Sequence, residues 1–299
     1  MVYLAYFIVG QVALTIALYM ISFIIPKAAF GARCLAGYMA LMICAIYGAL
    51  ISIALRMVGK EQIAQWTTAR LFKYLMAYST GITFEVEDPH GYLSTVRPAV
   101  FLGNHQTELD VLMLGWMFPK YCSVTAKKSL KNWPFLGWFM ALSGTVFIDR
   151  KNSKDARQAM SGAAEEIKKR KQSVYMFPEG TRSYSKEPIL LPFKKGAFHL
   201  AIQAGVPIVP VVAANYSHIL YVKNFTFRAG KIPLKVLDPI PTTGLTSADV
   251  EELTRTTREL MLNEIVMLTE KAQKRRFAMP ASKGNDGVLK ASGVEATIS

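Results

Sequence analysis

Two long runs without a charged side chain open the chain, and they limit what it can fold into. Residues 1–26 carry no charge, and neither do residues 34–55. Each run is long enough to cross the hydrocarbon core of a bilayer, which takes roughly 20 apolar residues in a helix. A short polar link, from Pro26-Lys27 to Arg33, lies between them. The pattern predicts a membrane anchor over residues 1–60, a hydrophobic helical hairpin with helices near residues 3–25 and 34–55. Both ends of such a hairpin lie on one side of the bilayer. A signal peptide does not fit the first run, which is too long for an h-region, lacks a basic n-region and is followed by a second apolar run. A hairpin that spans the bilayer and one that enters a single leaflet are both compatible with the sequence. Arg56, Lys60, Arg70 and Lys73 against Glu61 place the following domain on the cytosolic side.

The chain is 52% apolar with a mean hydropathy of +0.24, greasy for a soluble protein. Its net charge is +14, and residues 1–60 supply only Lys27, Arg33, Arg56 and Lys60 of it, with no acid. The remainder is therefore strongly basic in its own right. Such a surface suits nucleic acid, anionic lipid or phosphorylated substrates. No nucleic-acid recognition module is present, and nucleic-acid binding would leave the apolar runs unexplained. Cys34, Cys44 and Cys122 are spaced for neither a disulfide framework nor a zinc site.

From about residue 80 onward the chain alternates between two periods. Strands are predicted at 82–87, 98–102, 122–125, 145–148, 174–177, 206–212 and 234–237. Helices are predicted from Ser153 to about Lys171 and from Ser247 to about Lys274. Strands alternating with helices predict an α/β domain over residues 61–276, with a mixed, mostly parallel sheet flanked by helices. Residues 277–299 are small and polar and predict a disordered tail.

Asn104-His105 follows the strand at 98–102, and Thr107-Glu-Leu-Asp110 opens a helical pattern. Histidine is the natural general base near neutral pH, and a carboxylate on its second ring nitrogen holds the tautomer. Residues five apart on a helix lie about 140° apart, so His105 must precede the helix and fold back toward Asp110. The same residues also read as a helix cap, Thr107-x-x-Asp110, with no catalytic role required. A second motif follows the strand at 174–177: Pro178-Glu-Gly-Thr-Arg182-Ser183. Gly180 permits close backbone approach, and Arg182 offers a planar fork suited to a phosphate monoester. A local Glu179–Arg182 ion pair in a turn is the plainer alternative. Arg150 ends the run Gly144–Arg150, where a strand terminus can face a shared cleft. Lys194 and Lys195 stand at the start of a helical stretch, where lysines and the helix terminus both attract anions. His199 reads as a packed core histidine. Ser183 and Cys122 lie in no nucleophile-elbow pattern, and no G-x-S-x-G occurs.

Four runs now stand in order: N-H-Q-T-E-L-D at 104–110, G-T-V-F-I-D-R at 144–150, F-P-E-G-T-R-S at 177–183 and V-P-I-V-P-V at 206–211. Together they resemble the four motifs of the glycerophospholipid acyltransferases, and most closely the 1-acyl-sn-glycerol-3-phosphate acyltransferases of fungal or bacterial type. Thr107 stands where many members have serine, a change that keeps a helix-capping hydroxyl. The resemblance implies acyl transfer from acyl-coenzyme A, a substrate and not a cofactor, to the sn-2 hydroxyl of lysophosphatidic acid, giving phosphatidic acid. It implies His105 as base, Asp110 as its partner, and Glu179, Gly180, Thr181 and Arg182 as acceptor ligands, with Arg150 assisting. Lys195 joins them on its position alone. No metal, nucleic acid or protein partner is implied. The expected setting is an integral or monotopic membrane protein, in the endoplasmic reticulum if the cell is eukaryotic. Acylation of another lysophospholipid or of glycerol-3-phosphate is the nearest alternative activity. A lipid-binding protein without catalysis is the alternative class, against which the intact set His105, Asp110, Glu179 and Arg182 speaks.

Overall fold

A computed structural model describes residues 2–149 and 153–277. Two apolar helices come first, α1 (Val2–Ile21) and α2 (Ala28–Met57), followed by α3 (Ala64–Thr80). Next come β1 (Ile82–Glu87), α4 (Tyr92–Thr95), β2 (Val100–Gly103), α5 (Leu109–Met117), β3 (Cys122–Lys127), α6 (Leu136–Leu142) and β4 (Val146–Ile148). The chain continues through α7 (Ser153–Arg170), β5 (Ser173–Met176), α8 (Gly196–Ala204) and β6 (Ile208–Ala213). A two-stranded ribbon, β7 (Leu220–Tyr221) and β8 (Thr226–Phe227), precedes β9 (Gly230–Val236) and the long α9 (Val250–Gln273).

Among the described residues the main sheet has seven strands in the order β1-β9-β6-β2-β5-β3-β4. Every neighbouring pair is parallel except β6 with β9. The predicted α/β class, with a mostly parallel sheet flanked by helices, is therefore the observed one. Side chains alternate across the pleat and build a core on each face. On β2, Val100 and Leu102 face the core under α7, α8 and α9, where Ile167, Phe198, Met261 and Ile265 are buried. Phe101 faces the other core, with Phe72 and Met76 of α3, Leu112 and Met113 of α5, and Ala40 and Cys44 of α2.

Helix α2 differs from the sequence expectation in an informative way. It begins at Ala28, so Arg33 lies inside the helix and not in a polar link. Its Nε donates to the Thr80 carbonyl and its Nη1 to that of Phe227, both at 2.9 Å. Ala32, Ala36, Ala40, Cys44, Gly48 and Ser52 recur every fourth residue and are buried. The stripe offset from it by two residues, Tyr38, Met42, Ile46 and Leu50, is exposed. An offset of two residues is about 200° around a helix, so the two stripes oppose each other. Small residues let α2 lie close to the domain; a Cβ on Gly48 would fall 2.5 Å from the Phe139 ring of α6. The helix is thus both a wall of the α/β domain and its apolar outer face. By length and composition Ala28–Met57 is able to cross a membrane, whereas the apolar stretch Ala5–Ile21 is shorter. Apart from Phe277, the tail expected at 277–299 lies outside the described residues.

Candidate active site

Three adjacent parallel strands, β6, β2 and β5, end side by side, the usual place for a site in an open α/β sheet. Past β2, the chain should run on as unpaired backbone, and two amide side chains moor it instead. Asn104 exchanges two hydrogen bonds with Ala213 at the end of β6: its Oδ1 accepts from the Ala213 amide at 2.9 Å, and its Nδ2 donates to the Ala213 carbonyl at 3.0 Å. Gln106 Nε2 donates to the carbonyls of Ala213 and Ala214, at 3.3 and 3.0 Å. His105 stands between these moorings. Its ring stacks on Phe177, just past β5, with centroids 4.1 Å apart and planes 18° apart. Gly103 is required just before them, because a Cβ there would fall 1.7 Å from the Tyr175 hydroxyl.

His105 Nδ1 lies 2.7 Å from Asp110 Oδ2, with Asp110 in the first turn of α5. The loop folds back across the five-residue gap. The same carboxylate oxygen accepts the amides of Gln106 at 2.6 Å and Thr107 at 3.1 Å. Thr107 Oγ1 in turn accepts the Leu109 amide at 3.2 Å. Capping and the histidine contact are therefore one structure. A carboxylate with no exposed surface needs such donors in place of water. It also fixes the proton of neutral His105 on Nδ1 and leaves the lone pair on Nε2, which has no hydrogen-bond partner among the described residues. The His105 side chain is 13% exposed, so one ring edge meets solvent.

The sequence reading missed one member of this network. Tyr216 is buried, and its hydroxyl donates to Asp110 Oδ1 at 2.6 Å while accepting the Thr107 amide at 3.2 Å. Burial, followed by the Asp110 charge, pushes its hydroxyl well up, so it remains a donor. The available signal was positional: Tyr216 stands three residues beyond β6, next to the strand that delivers His105. In Tyr216→Phe the Asp110 carboxylate and the Thr107 amide each lose a partner. The kcat should fall by about tenfold, the worth of one buried hydrogen bond to a charged group, with both KM values little changed. A lowered Tm with an unchanged kcat would make Tyr216 a packing residue only.

The second motif is stitched to the first. Ser183 and Tyr184 donate their amides to the carbonyls of His105 and Gln106, at 3.0 and 3.1 Å. Glu179 does not face outward with the other acceptor candidates. It is buried, with Oε1 accepting the His105 amide at 2.6 Å and Oε2 accepting the Leu191 amide at 2.9 Å. Burial pushes its carboxyl up to about 8 against these two amides, which pull the other way. Gly180 has φ +69° and Thr181 is exposed at the turn. Arg182 Nη1 contacts Glu108 Oε1 at 3.0 Å and the Tyr184 hydroxyl at 3.2 Å. The amides of Thr181 and Arg182 have no partner among the described residues, an arrangement of donors that suits an anion.

Other candidates fall elsewhere. Lys195 forms an ion pair with Glu251 of α9, away from the turn, whereas Lys194 lies against Gly180: a Cβ there would fall 2.9 Å from the Lys194 Cε. Arg150 lies outside the described residues. His199 is exposed on α8 and is not the core histidine expected. Cys122 is buried, and burial holds its thiol well above the ordinary range, which removes it as a nucleophile. The amides of Gln106, Thr107 and Leu109 are committed to Asp110, Tyr216 and Thr107, so they are not free to bind an oxyanion.

Comparison with known proteins identifies relatives of the chain and of its fold. A family model described as Acyltransferase matches residues 84–214, the span from β1 to just beyond β6. The structure superposes on that of the 1-acyl-sn-glycerophosphate (LPA) acyltransferase PlsC from Thermotoga maritima with a TM-score of 0.64 and 24% identity, covering 82% of this chain and 96% of that one. This likeness establishes the fold. The human 1-acyl-sn-glycerol-3-phosphate acyltransferase beta is 39% identical over 73% of this chain and 76% of its own. The 1-acyl-sn-glycerol-3-phosphate acyltransferase of Saccharomyces cerevisiae is 44% identical over 227 residues, 76% of this chain and 74% of its own. With an identity of this level reaching across the whole site, the chain belongs to the 1-acyl-sn-glycerol-3-phosphate acyltransferase family.

Proposed function

We propose that the protein transfers an acyl group from acyl-coenzyme A to the sn-2 hydroxyl of lysophosphatidic acid, without a covalent acyl-enzyme. The observation that carries this reading is the hydrogen-bonded seam between the two motifs. It sets a histidine with a free Nε2 beside a turn that presents an arginine and open amides. A base and an anion site so joined fit an acceptor that has a hydroxyl a few atoms from a phosphate. Nε2 of His105 takes the proton of the acceptor hydroxyl as that oxygen attacks the thioester carbonyl. The carbon–sulfur bond then breaks, and the imidazolium returns the proton to the departing thiolate. The thioester is already activated, so no protein nucleophile is needed. The names of the relatives support the acceptor; the basic surface suits the phosphates of coenzyme A and an anionic lipid face.

The membrane reading follows from α2. Its small-residue stripe lies against the domain along most of the helix, so the helix is not a free-standing span. We read the hairpin as entering the cytosolic leaflet of the endoplasmic reticulum in a eukaryotic cell, with the exposed stripe in the acyl chains.

An acceptor screen with purified protein in detergent, following coenzyme A release, tests the assignment. Lysophosphatidic acid should be used, and glycerol-3-phosphate and lysophospholipids with diester headgroups should be poor acceptors. Equal use of lysophosphatidylcholine would reject the phosphate-monoester reading. Arg182→Lys should raise the KM for the acceptor several-fold and leave that for acyl-coenzyme A near its starting value. A point charge there replaces a bidentate fork. A parallel rise in both constants would remove the acceptor phosphate from Arg182.

A further inference from the structure

Arg182 is already occupied, and its occupant belongs to the other motif. Glu108 immediately precedes α5, yet its side chain makes no capping hydrogen bond. It turns instead to Arg182, with Oε1 3.0 Å from Nη1. The Tyr184 hydroxyl donates to the same oxygen at 2.7 Å and accepts from the same guanidinium nitrogen at 3.2 Å. Three side chains thus close a small ring at the mouth of the site. On its other edge Arg182 is unsatisfied: Nε is buried and has no hydrogen-bond partner. A guanidinium with one edge on a carboxylate and the other without an acceptor is a fork awaiting an anion.

We propose that Glu108 is an internal competitor for the acceptor's phosphate, holding Arg182 before the substrate binds, yielding to it and returning as the product leaves. The inference rests on the reading of Arg182 as the phosphate ligand. Its chemical reason is that acyl transfer to the sn-2 hydroxyl leaves the phosphate monoester unchanged. Whatever binds that group in the substrate binds it equally in the product. An arginine with no competitor would retain phosphatidic acid. The Glu108 pair is suited to exchange. Glu108 is 50% exposed and Arg182 35%, so the pair is hydrated and weak, and a phosphate making two charge-assisted bonds displaces it. Tyr184 contacts both partners, so the guanidinium keeps its orientation while its acceptor changes. Its own backbone is fixed by the hydrogen bond that its amide donates to the Gln106 carbonyl, which ties the ring to the loop carrying His105.

The test compares Glu108→Gln with the unaltered protein in detergent. Glutamine keeps an acceptor for Tyr184 and removes the charge. Inorganic phosphate and phosphatidic acid are used as competitive inhibitors against lysophosphatidic acid. The expected result is a fall in both inhibition constants and in the acceptor KM by a shared factor of about two to five, the range of an exposed ion pair. The acyl-coenzyme A KM should not move. Inhibition constants that stay fixed or rise in Glu108→Gln overturn the proposal. Arg182→Lys distinguishes this failure from failure of the underlying reading. If Arg182→Lys raises the acceptor KM while Glu108→Gln leaves inhibition unchanged, Arg182 binds phosphate and Glu108 does not compete. If Arg182→Lys moves neither acceptor KM nor phosphate inhibition, the phosphate site lies elsewhere and both readings fall.

Discussion

His105→Ala should reduce acyl transfer by about 10²–10⁴-fold, the usual worth of a positioned general base, and leave the protein folded. The fold should survive for reasons visible in the structure. The loop at 104–107 is held by Asn104 and Gln106 on β6, by the Asp110 carboxylate on two amides and by Glu179 on the His105 amide, and none of these uses the imidazole. What is lost is the stacked ring on Phe177 and the proposed base. The measurement is coenzyme A release per mole of protein, with circular dichroism and detergent gel filtration as controls for folding. Activity within a few-fold of the unaltered protein would end the assignment of His105 as base. Asp110→Asn is a sharper companion. The amide still fills the space, but it places an NH₂ where amides and the imidazole donate, so its folding control matters as much as its rate.

The sequence made some of this plain and concealed the rest, for physical reasons. The five-residue gap between His105 and Asp110 required a loop ahead of a helix, because helical geometry allows nothing else. The strands at 82–87 and 174–177 were legible because a pleated strand buried on one or both faces leaves a strong pattern. Helix α3 was not, since the strand and helix patterns are read only from about residue 80 onward; its amphipathic face packs on α2 and α5. The bounds of the hairpin also shifted. Charge marks a membrane segment, but Arg33 hides its charge by donating to two backbone carbonyls, so the helix starts six residues before the charge-free run. The site shows the same limit. A motif names the residues that recur but not the direction in which each side chain points. Glu179, Gly180, Thr181 and Arg182 are consecutive, yet Glu179 faces inward to the loop and Arg182 outward to the cleft. Tyr216, with no motif of its own, contacts Asp110 from 106 positions away.

Glu179 is where direction changes the expected kinetics most. A ligand of the acceptor, when removed, raises the acceptor KM. A carboxylate that holds the backbone of the catalytic loop, when removed, misplaces the base. Both oxygens of Glu179 are engaged by backbone amides, so neither is left for a ligand. In Glu179→Gln one of those amides keeps an acceptor and the other faces an NH₂ group, leaving two buried donors opposed. An unsatisfied buried donor costs roughly 1–3 kcal/mol, and each 1.36 kcal/mol is tenfold in rate if the loop is displaced in the transition state. The kcat should therefore fall by about tenfold or more with the acceptor KM little changed. The pH dependence supplies a second reading. Burial raises the folded carboxyl from an ordinary 4.5 to about 8, so the folded chain binds the proton more tightly than the unfolded one. By linkage, stability from this group is complete below about 4.5, declines as pH rises through about 8, and is level beyond. Thermal unfolding followed from pH 5 to 9 should show that decline in the unaltered protein and a flatter profile in Glu179→Gln. A variant whose acceptor KM rises while kcat and the profile stay as they were would return Glu179 to the substrate, as the family resemblance implies.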